Sequence, residues 1–364
     1  MKALLLGDVS PTTGNRALFA AGDIQTLFTD TLSIFQGNDI NFVNMECALT
    51  DTESPIQKIG PAIWAPTNTA NVMKAVGVNY CSISNNHFFD HGKAGVKSGL
   101  KALADAGITP TGFGENYEDS RKNLVIEKDG EKVVIIAVCE HEYTYALDDR
   151  MGSRPFCPFD TLDDIREAKK DADRVIVIYH GGKEYCQYPS PRLMKACRAM
   201  VKAGADLVLG QHSHCISCYE QFEGSHIMYG QGNFHFVVEE KDPAIQYLWD
   251  NSVAVHYDTK THEIAFTPIT RDGSGIALAK GELKEQLLQE FAQRNATIQN
   301  GQWYEGWKAF CESKRDVYTR PLRNMYKEDS TERQNQIFAH YLDCEAHSDV
   351  WRELFKTWNH TNER

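Results

Sequence analysis

The sequence predicts an α/β fold of layered sheets followed by a helical extension. Three observations point to it. Over residues 1–210, short apolar runs alternate with longer stretches of helical periodicity. Several runs, EKVVIIAVC (131–139) and RVIVIYH (174–180) among them, are apolar at consecutive positions, as expected of strands covered on both faces. Beyond about residue 280 strand character fades, and Trp303, Trp307, Trp351 and Trp358 recur among Leu, Phe and Tyr at helical spacing.

The elements follow in order. KALLLGD (2–8) reads as a buried strand, because Ala3 to Leu6 are all apolar. Residues 23–36 read as helical, NFVNME (41–46) as a second strand and VNYCSIS (78–84) as a third. Residues 92–106 form a helix with Ala94, Val96, Leu100, Leu103 and Ala104 along one face, stopped by Gly107. After the strands at 131–139 and 174–180 come a helix over 191–203 and the strand ADLVLG (205–210). SHIMYGQGNFHFVV (225–238), NSVAVHYD (251–258) and HEIAFTPIT (262–270) read as strands joined by short loops, closing a domain of residues 1–272. Residues 273–364 then read as three or four helices that pack on the domain or on a partner, with an oligomer through these helices as one outcome.

Composition limits the function. The chain has 364 residues, 42% apolar and 24% charged, which is ordinary for one large or two smaller globular domains. A net charge of −12 argues against a nucleic-acid binder that works by neutralising phosphates. No window approaches the roughly 18 apolar residues of a spanning helix. The run after Met1 is too short for a signal peptide, and the scattered cysteines (Cys47, Cys81, Cys139, Cys157, Cys186) read as buried free thiols. Together these predict a cytoplasmic protein with no membrane segment.

The apolar runs end in a chemically coherent set. Asp8 follows the first, Asn44 and Glu46 the second, Asn86 and His87 the third, His180 the run at 174–180, and His212 and His214 the last. Ligands of open α/β sheets bind in the crevice beyond the carboxyl ends of the strands. Each residue has a plainer reading alone: Asp8 as a turn or cap, Glu46 as an exposed loop residue, His180 as a satisfied core histidine. The recurrence at five strand ends favours a common site. On an extended segment His212 and His214 share a face, so both rings can aim at one centre. Two carboxylates, one amide oxygen and three imidazoles suit Mn, Zn or Fe, with no thiolate to suggest a structural zinc. Six donors exceed one tetrahedral ion and fit two ions sharing a carboxylate. The stretch SNNHFFDHG (84–92) adds His87 backed by Asp90, more than a turn requires.

GD (7–8), N-x-E (44–46), NNH-x-x-D-x-G (85–92), HGGKEY (180–185), GQHSH (210–214) and GNF (232–234) resemble the CapA-type proteins. These form the capsule or poly-γ-glutamate synthesis branch of the calcineurin-like metallophosphoesterases. The likeness covers about residues 1–270 and implies a metallophosphatase-like α/β-β-α sandwich. It further implies that Asp8 and His214 serve one divalent ion, and Asn86, His180 and His212 a second. Glu46 would bridge them where the superfamily usually has Asp. His87 would protonate a leaving group or bind an oxyanion, with Asp90 orienting it and raising its basicity. Ser10 stands where the superfamily's first motif has its histidine, so one ion loses a nitrogen ligand.

Candidate substrate-binding residues are Asn44, then Glu140, His141, Glu142 and Tyr143 after the 131–139 strand, then Lys183, Glu184, Tyr185 and Arg192. The implied activity is a two-metal hydrolase using a bridging hydroxide on a phosphoester or on an amide or γ-glutamyl bond. The substrate would be a small molecule, an anionic polymer or a peptide. A non-catalytic scaffold in polymer biosynthesis is the other reading.

Overall fold

The computed structural model describes residues 1–240 and 242–356. Two sheets pack face to face. The first has eight strands, in the order Gly275–Leu278, Glu263–Asp272, Asn251–Asp258, Lys2–Val9, Ile40–Met45, Tyr80–Ser82 and Thr109–Thr111, with Asn233–His235 pairing beside the end of Lys2–Val9. From Lys2–Val9 to Thr109–Thr111 the strands are parallel, and the strands from Asn251 onward are antiparallel. The second has six: Tyr219–Phe222, Ser225–Met228, Leu207–Gln211, Arg174–His180, Glu131–Cys139 and Leu124–Lys128, parallel except at both edges.

The consecutive apolar runs are explained by two covered faces. Ile135, Ala137, Ile176, Ile178, Leu207 and Leu209 meet Leu5, Phe42, Val253 and Val255 in the layer between the sheets. Their neighbours Val134, Ile136, Val175, Val177 and Val208 face outward, under Ile165 of the helix Pro158–Lys169 and Leu193, Met194 and Met200 of the helix Pro191–Ala203. On the other side, Leu4, Leu6, Val43 and Met45 pack under Val96 and Leu103 of the helix Gly92–Ala106. Each fully buried Val, Leu or Ile contributes roughly 1.5–3 kcal/mol, so a strand facing two such layers gains on every residue. The predicted layered α/β sandwich is what forms, with every parallel strand delivering its carboxyl end to the same rim.

Some elements differ from expectation. The helix expected over 23–36 is a short α-helix, Ile24–Phe28, then a 3₁₀ segment, Thr29–Phe35, broken where Thr29 takes φ +38°. The single strand expected over 225–238 splits. Ser225–Met228 belongs to the six-stranded sheet and Asn233–His235 to the eight-stranded one, because the chain crosses between sheets at Gly230–Gly232. Gly232 has φ +81°, and a Cβ on Gly7 would lie 1.9 Å from its carbonyl oxygen, so both glycines are needed for that close approach. The first sheet continues past residue 272 to Leu278.

Among the described residues five helices follow, where three or four were expected: Gly281–Asn300, Trp303–Ser313, Arg315–Met325, Glu332–Asp343 and Glu345–Leu354. Their tryptophans pack as anticipated. Trp307 is buried with Cys186, Cys311, Tyr318, Val350 and Leu354, and Trp303 and Trp351 lie against that cluster. Trp358 lies outside the described residues. All ten cysteines are unpaired; Cys215 and Cys218 stand in a C-x-x-C stretch, which corrects the reading of the cysteines as merely scattered. Among the described residues no helix is long and apolar enough to cross a membrane.

Candidate metal centre

The rim of the two sheets gathers side chains from all five expected strand ends. Asp8, Glu46, Asn86, His180, His212 and His214 are all buried. Asp8 and Asn44 are register partners on adjacent strands, and Asn44 Nδ2 donates to Asp8 Oδ1 at 2.8 Å. His180 and Gln211 are register partners on the opposing sheet, so His212 emerges beside His180 with ring centroids 4.8 Å apart. His180 Nε2 lies 3.0 Å from Asn86 Oδ1 and 3.4 Å from Glu46 Oε1. His214 Nδ1 lies 3.5 Å from Asp8 Oδ2, and its Nε2 3.9 Å from Glu46 Oε1.

Two groups of ligand atoms result: Asp8, Glu46 and His180, and Glu46, His212 and His214. Glu46 is common to both, as a bridging carboxylate would be. The pairs the resemblance implies are also neighbours here, with His214 3.5 Å from Asp8 and the His180 and His212 rings 4.8 Å apart. His212 and His214 do not lie on an extended segment; they adopt φ +81° and +51°, a left-handed conformation that costs non-glycine residues on the order of 1–3 kcal/mol each. The rings therefore diverge, tilted 51° with centroids 5.8 Å apart, and still reach Glu46 from one side.

Electrostatics favour cations here. Both carboxylate oxygens of Glu46, and Nδ1 of His212, are buried with no hydrogen-bond partner. Burial, then the Asp8 charge, pushes Glu46 well above the usual carboxyl range. Burial lowers both His180 and His212 to about 4. Burial also opposes charge on Asp8 and His214, but their mutual contact outweighs it: Asp8 stays ionised well below its usual value, and His214, with Glu46 adding to the pull, rises to about 9. A buried carboxyl with nothing to bond is expensive. Divalent ions would remove that cost, and the oxygen and nitrogen donors fit Mn, Zn or Fe.

His87 sits next to the ligand Asn86. Its Nδ1 is 2.6 Å from Asp90 Oδ2, as the motif anticipated. The loop before it adds a residue no motif had marked. Lys58 donates to Asp90 Oδ1 at 2.6 Å and to the Asn86 carbonyl at 3.1 Å, and lies 3.4 Å from His87 Nδ1. The expected rise in His87 basicity is therefore reversed: burial and then Lys58 lower it, and Asp90 only partly compensates. Asn85, the first residue of NNH, fastens the loop by donating to Asn44 Oδ1 and the Met45 carbonyl and accepting from the His87 and Phe88 amides.

Four candidate substrate residues serve other ends. Asn44 is fully buried, bonded to Asp8 and 3.1 Å from His180 Nδ1. Glu140 pairs with Arg192 and accepts from the Tyr179 hydroxyl at 2.8 Å. Arg192 Nε also donates to Asp349 Oδ2 at 2.8 Å, and the His141 amide donates to Glu345 Oε2 at 2.8 Å. Asp349 and Glu345 lie on the last helix, so Glu140, His141 and Arg192 dock the C-terminal helices. Glu142 does reach the centre, accepting from Asn86 Nδ2 at 3.1 Å. Lys183 is 3.9 Å from Glu184. Burial opposes the charge on both, yet Lys183 stays protonated, with the Glu184 carboxylate supporting it. Glu184 is held low by Lys183, His212, His214 and His87.

Two further residues hold His214. Asn233, the middle of GNF, sits with Oδ1 2.8 Å from its Nδ1, and Trp249 of the helix Pro243–Asp250 packs on its ring at 4.5 Å. The GNF motif was the signal available for the first; nothing in the sequence marked the second.

Comparison with known proteins places this rim in a wider set. A family model described as "Bacterial capsule synthesis protein PGA_cap" matches residues 2–237. The chain is 34% identical over 203 residues to the capsule biosynthesis protein CapA of Bacillus anthracis, covering 52% of this chain and 49% of that protein. It is 30% identical over 216 residues to the PGA biosynthesis protein CapA of Bacillus subtilis, covering 58% and 57%. It is 28% identical over 209 residues to a probable polyglutamine synthesis accessory protein of Mycobacterium tuberculosis, covering 54% and 55%. The chain thus spans about half the length of the curated relatives it matches. The matched stretch 2–237 contains Asp8, Glu46, Asn86, His180, His212 and His214 and ends before the helical extension begins.

Proposed function

The chain belongs to the bacterial capsule synthesis protein family PGA_cap, and from that premise we propose that it is a hydrolase dependent on two divalent ions. The observation that carries this is Glu46: a fully buried carboxylate, without a hydrogen-bond partner, shared by both groups of ligand atoms. Asp8, His180 and Asn86 on one side and His212 and His214 on the other would hold the ions with it. Bound there, divalent ions acidify water and polarise the oxygen of a scissile phosphoester or amide.

The remaining roles fall to the chain's own groups. Asp90 holds His87 through Nδ1, so any proton His87 moves to or from a leaving group passes through Nε2. Lys58 keeps Asp90 in place and offsets its charge. Lys183, protonated beside Glu184, would meet an anionic group of a substrate. The ten unpaired thiols suit a reducing, cytoplasmic setting. A scaffold role in polymer synthesis is favoured by one observation, Ser10 at a position where a further nitrogen ligand would complete the first ion's shell.

The test is turnover by metal-loaded protein of an aryl phosphodiester, an aryl phosphomonoester and a γ-glutamyl anilide, beside His87→Ala. Hydrolysis of one class, lost in the variant and on chelation, supports the enzyme and fixes the bond. Protein that takes up no metal and hydrolyses none of the three is a scaffold.

A further inference from the structure

A cavity of about 440 Å³ opens beside the centre. Lys58, Glu142 and Tyr143 form its inner wall, and Glu332, His340 and Asp343 of the helix Glu332–Asp343 form its outer wall. That volume is within the range of small-molecule sites. The inner wall is continuous with the chemistry. Lys58 bonds Asp90 behind His87, and Glu142 bonds the ligand Asn86 with its other oxygen 3.9 Å from His212 Nε2. A molecule reacting at the centre has this cavity as its neighbouring space.

We propose that this cavity holds the non-reacting part of the substrate, and that the helix Glu332–Asp343 selects it, admitting a neutral or ammonium-bearing group and turning away a carboxylate. The inference rests on the hydrolase reading for there being a substrate at all.

The charge of the lining carries the selectivity. Glu142, Glu332 and Asp343 face the cavity, against one cation, Lys58. The Lys58 side chain is only 3% exposed and is spent on Asp90. Burial keeps the His340 imidazole below the usual histidine range, so it adds no charge at neutral pH. Carboxylates outnumber cations three to one among the lining residues, so a second anion is disfavoured and an ammonium is drawn in. The outer wall is also built to vary. It lies beyond the family-matched stretch, and no residue of that helix is buried. The helix is fixed by a capping box between Thr331 and Gln334 and by His340 stacked on Tyr143 at 5.1 Å. Glu332 and Asp343 can therefore be changed without opening the core.

The test uses two non-hydrolysable aryl phosphonates, one with a 3-aminopropyl arm and one with a 2-carboxyethyl arm, titrated calorimetrically into Mn²⁺-loaded protein. The amine arm should bind at least about tenfold more tightly. Glu332→Gln with Asp343→Asn should cut that ratio to below about threefold, and Glu332→Lys with Asp343→Lys should invert it. A misfolded variant would lose both ligands together and could not invert the preference. Equal binding of the two arms by the unaltered protein, or a ratio unmoved by both double variants, overturns the proposal. Turnover of the matching aryl phosphodiesters, run in parallel, separates the two readings. Preference without turnover removes the hydrolase and keeps the selective cavity; turnover without preference does the reverse.

Discussion

Replacing Glu46 by Gln should abolish binding of both ions at once, because it is the one residue common to the two ligand groups. The structure sets the magnitude. His180 belongs to one group and His212 to the other, so His180→Ala or His212→Ala should each leave one equivalent, and Glu46→Gln none. At free ion about 100 times its Kd, each site adds about 2.7 kcal/mol to stability, and two add about 5 kcal/mol. With an unfolding entropy of about 2.1 cal/mol/K per residue, a chain of 364 residues has roughly 0.8 kcal/mol/K. The calorimetric midpoint should then rise by about 7 °C in the native protein, about half that in either histidine variant, and not at all in Glu46→Gln. Without metal, Glu46→Gln should be no less stable than the native chain, since a partnerless buried carboxyl gives way to an isosteric neutral amide. Melting with and without Mn²⁺, paired with metal analysis, reads all three. Two equivalents retained by Glu46→Gln would refute the shared-carboxylate geometry.

Three other outcomes follow from the same coordinates. Because His214 holds its proton up to about pH 9, Glu46 is also shifted upward, and both must be deprotonated to ligate, apparent metal affinity should rise at least about tenfold per pH unit between pH 6 and 8; chelator competition that gives a flat profile contradicts this. Arg192→Met leaves Glu140 buried without its cation, while Asp349 keeps Arg352 and Ser190, and should cost about 3 kcal/mol in urea unfolding; a loss under about 1 kcal/mol would mean that Arg192 does not anchor the helix Glu345–Leu354. The hydrogen bond to Glu345 raises His141, so its contribution is complete below the unfolded value near 6.5 and is lost as pH climbs through the higher folded value. Amide exchange over 345–354 should accordingly quicken on the alkaline side, and Glu345→Gln should flatten the response.

The gathering of these side chains was legible because parallel strands covered on both faces end at one rim, and each run carried its polar residue at that end. Asp8, Glu46, Asn86, His180, His212 and His214 needed only the periodicity to be placed together. What could not be read depends on distant partners. Glu140 and His141 look like site residues because they follow a buried strand, and Arg192 because it comes soon after His180, yet Asp349 and Glu345 claim Arg192 and His141 from about 150–200 residues away. Lys58 comes from a loop without periodicity. The left-handed turn at His212 and His214 carries no glycine to announce it, and the break at Thr29 likewise hides inside an apolar, helix-like pattern.

The eight-stranded sheet has a temporal consequence. Lys2–Val9 is an interior strand, yet its antiparallel neighbour, Asn251–Asp258, leaves the ribosome roughly 240 residues later. At about 5–20 residues per second, one flank of that apolar strand waits on the order of 10–50 s for its mate. An open strand flank invites pairing with another chain. Recombinant yield should therefore fall with faster translation or higher nascent-chain density, and recover when synthesis is slowed or a chaperone shields the emerging N-terminal segment.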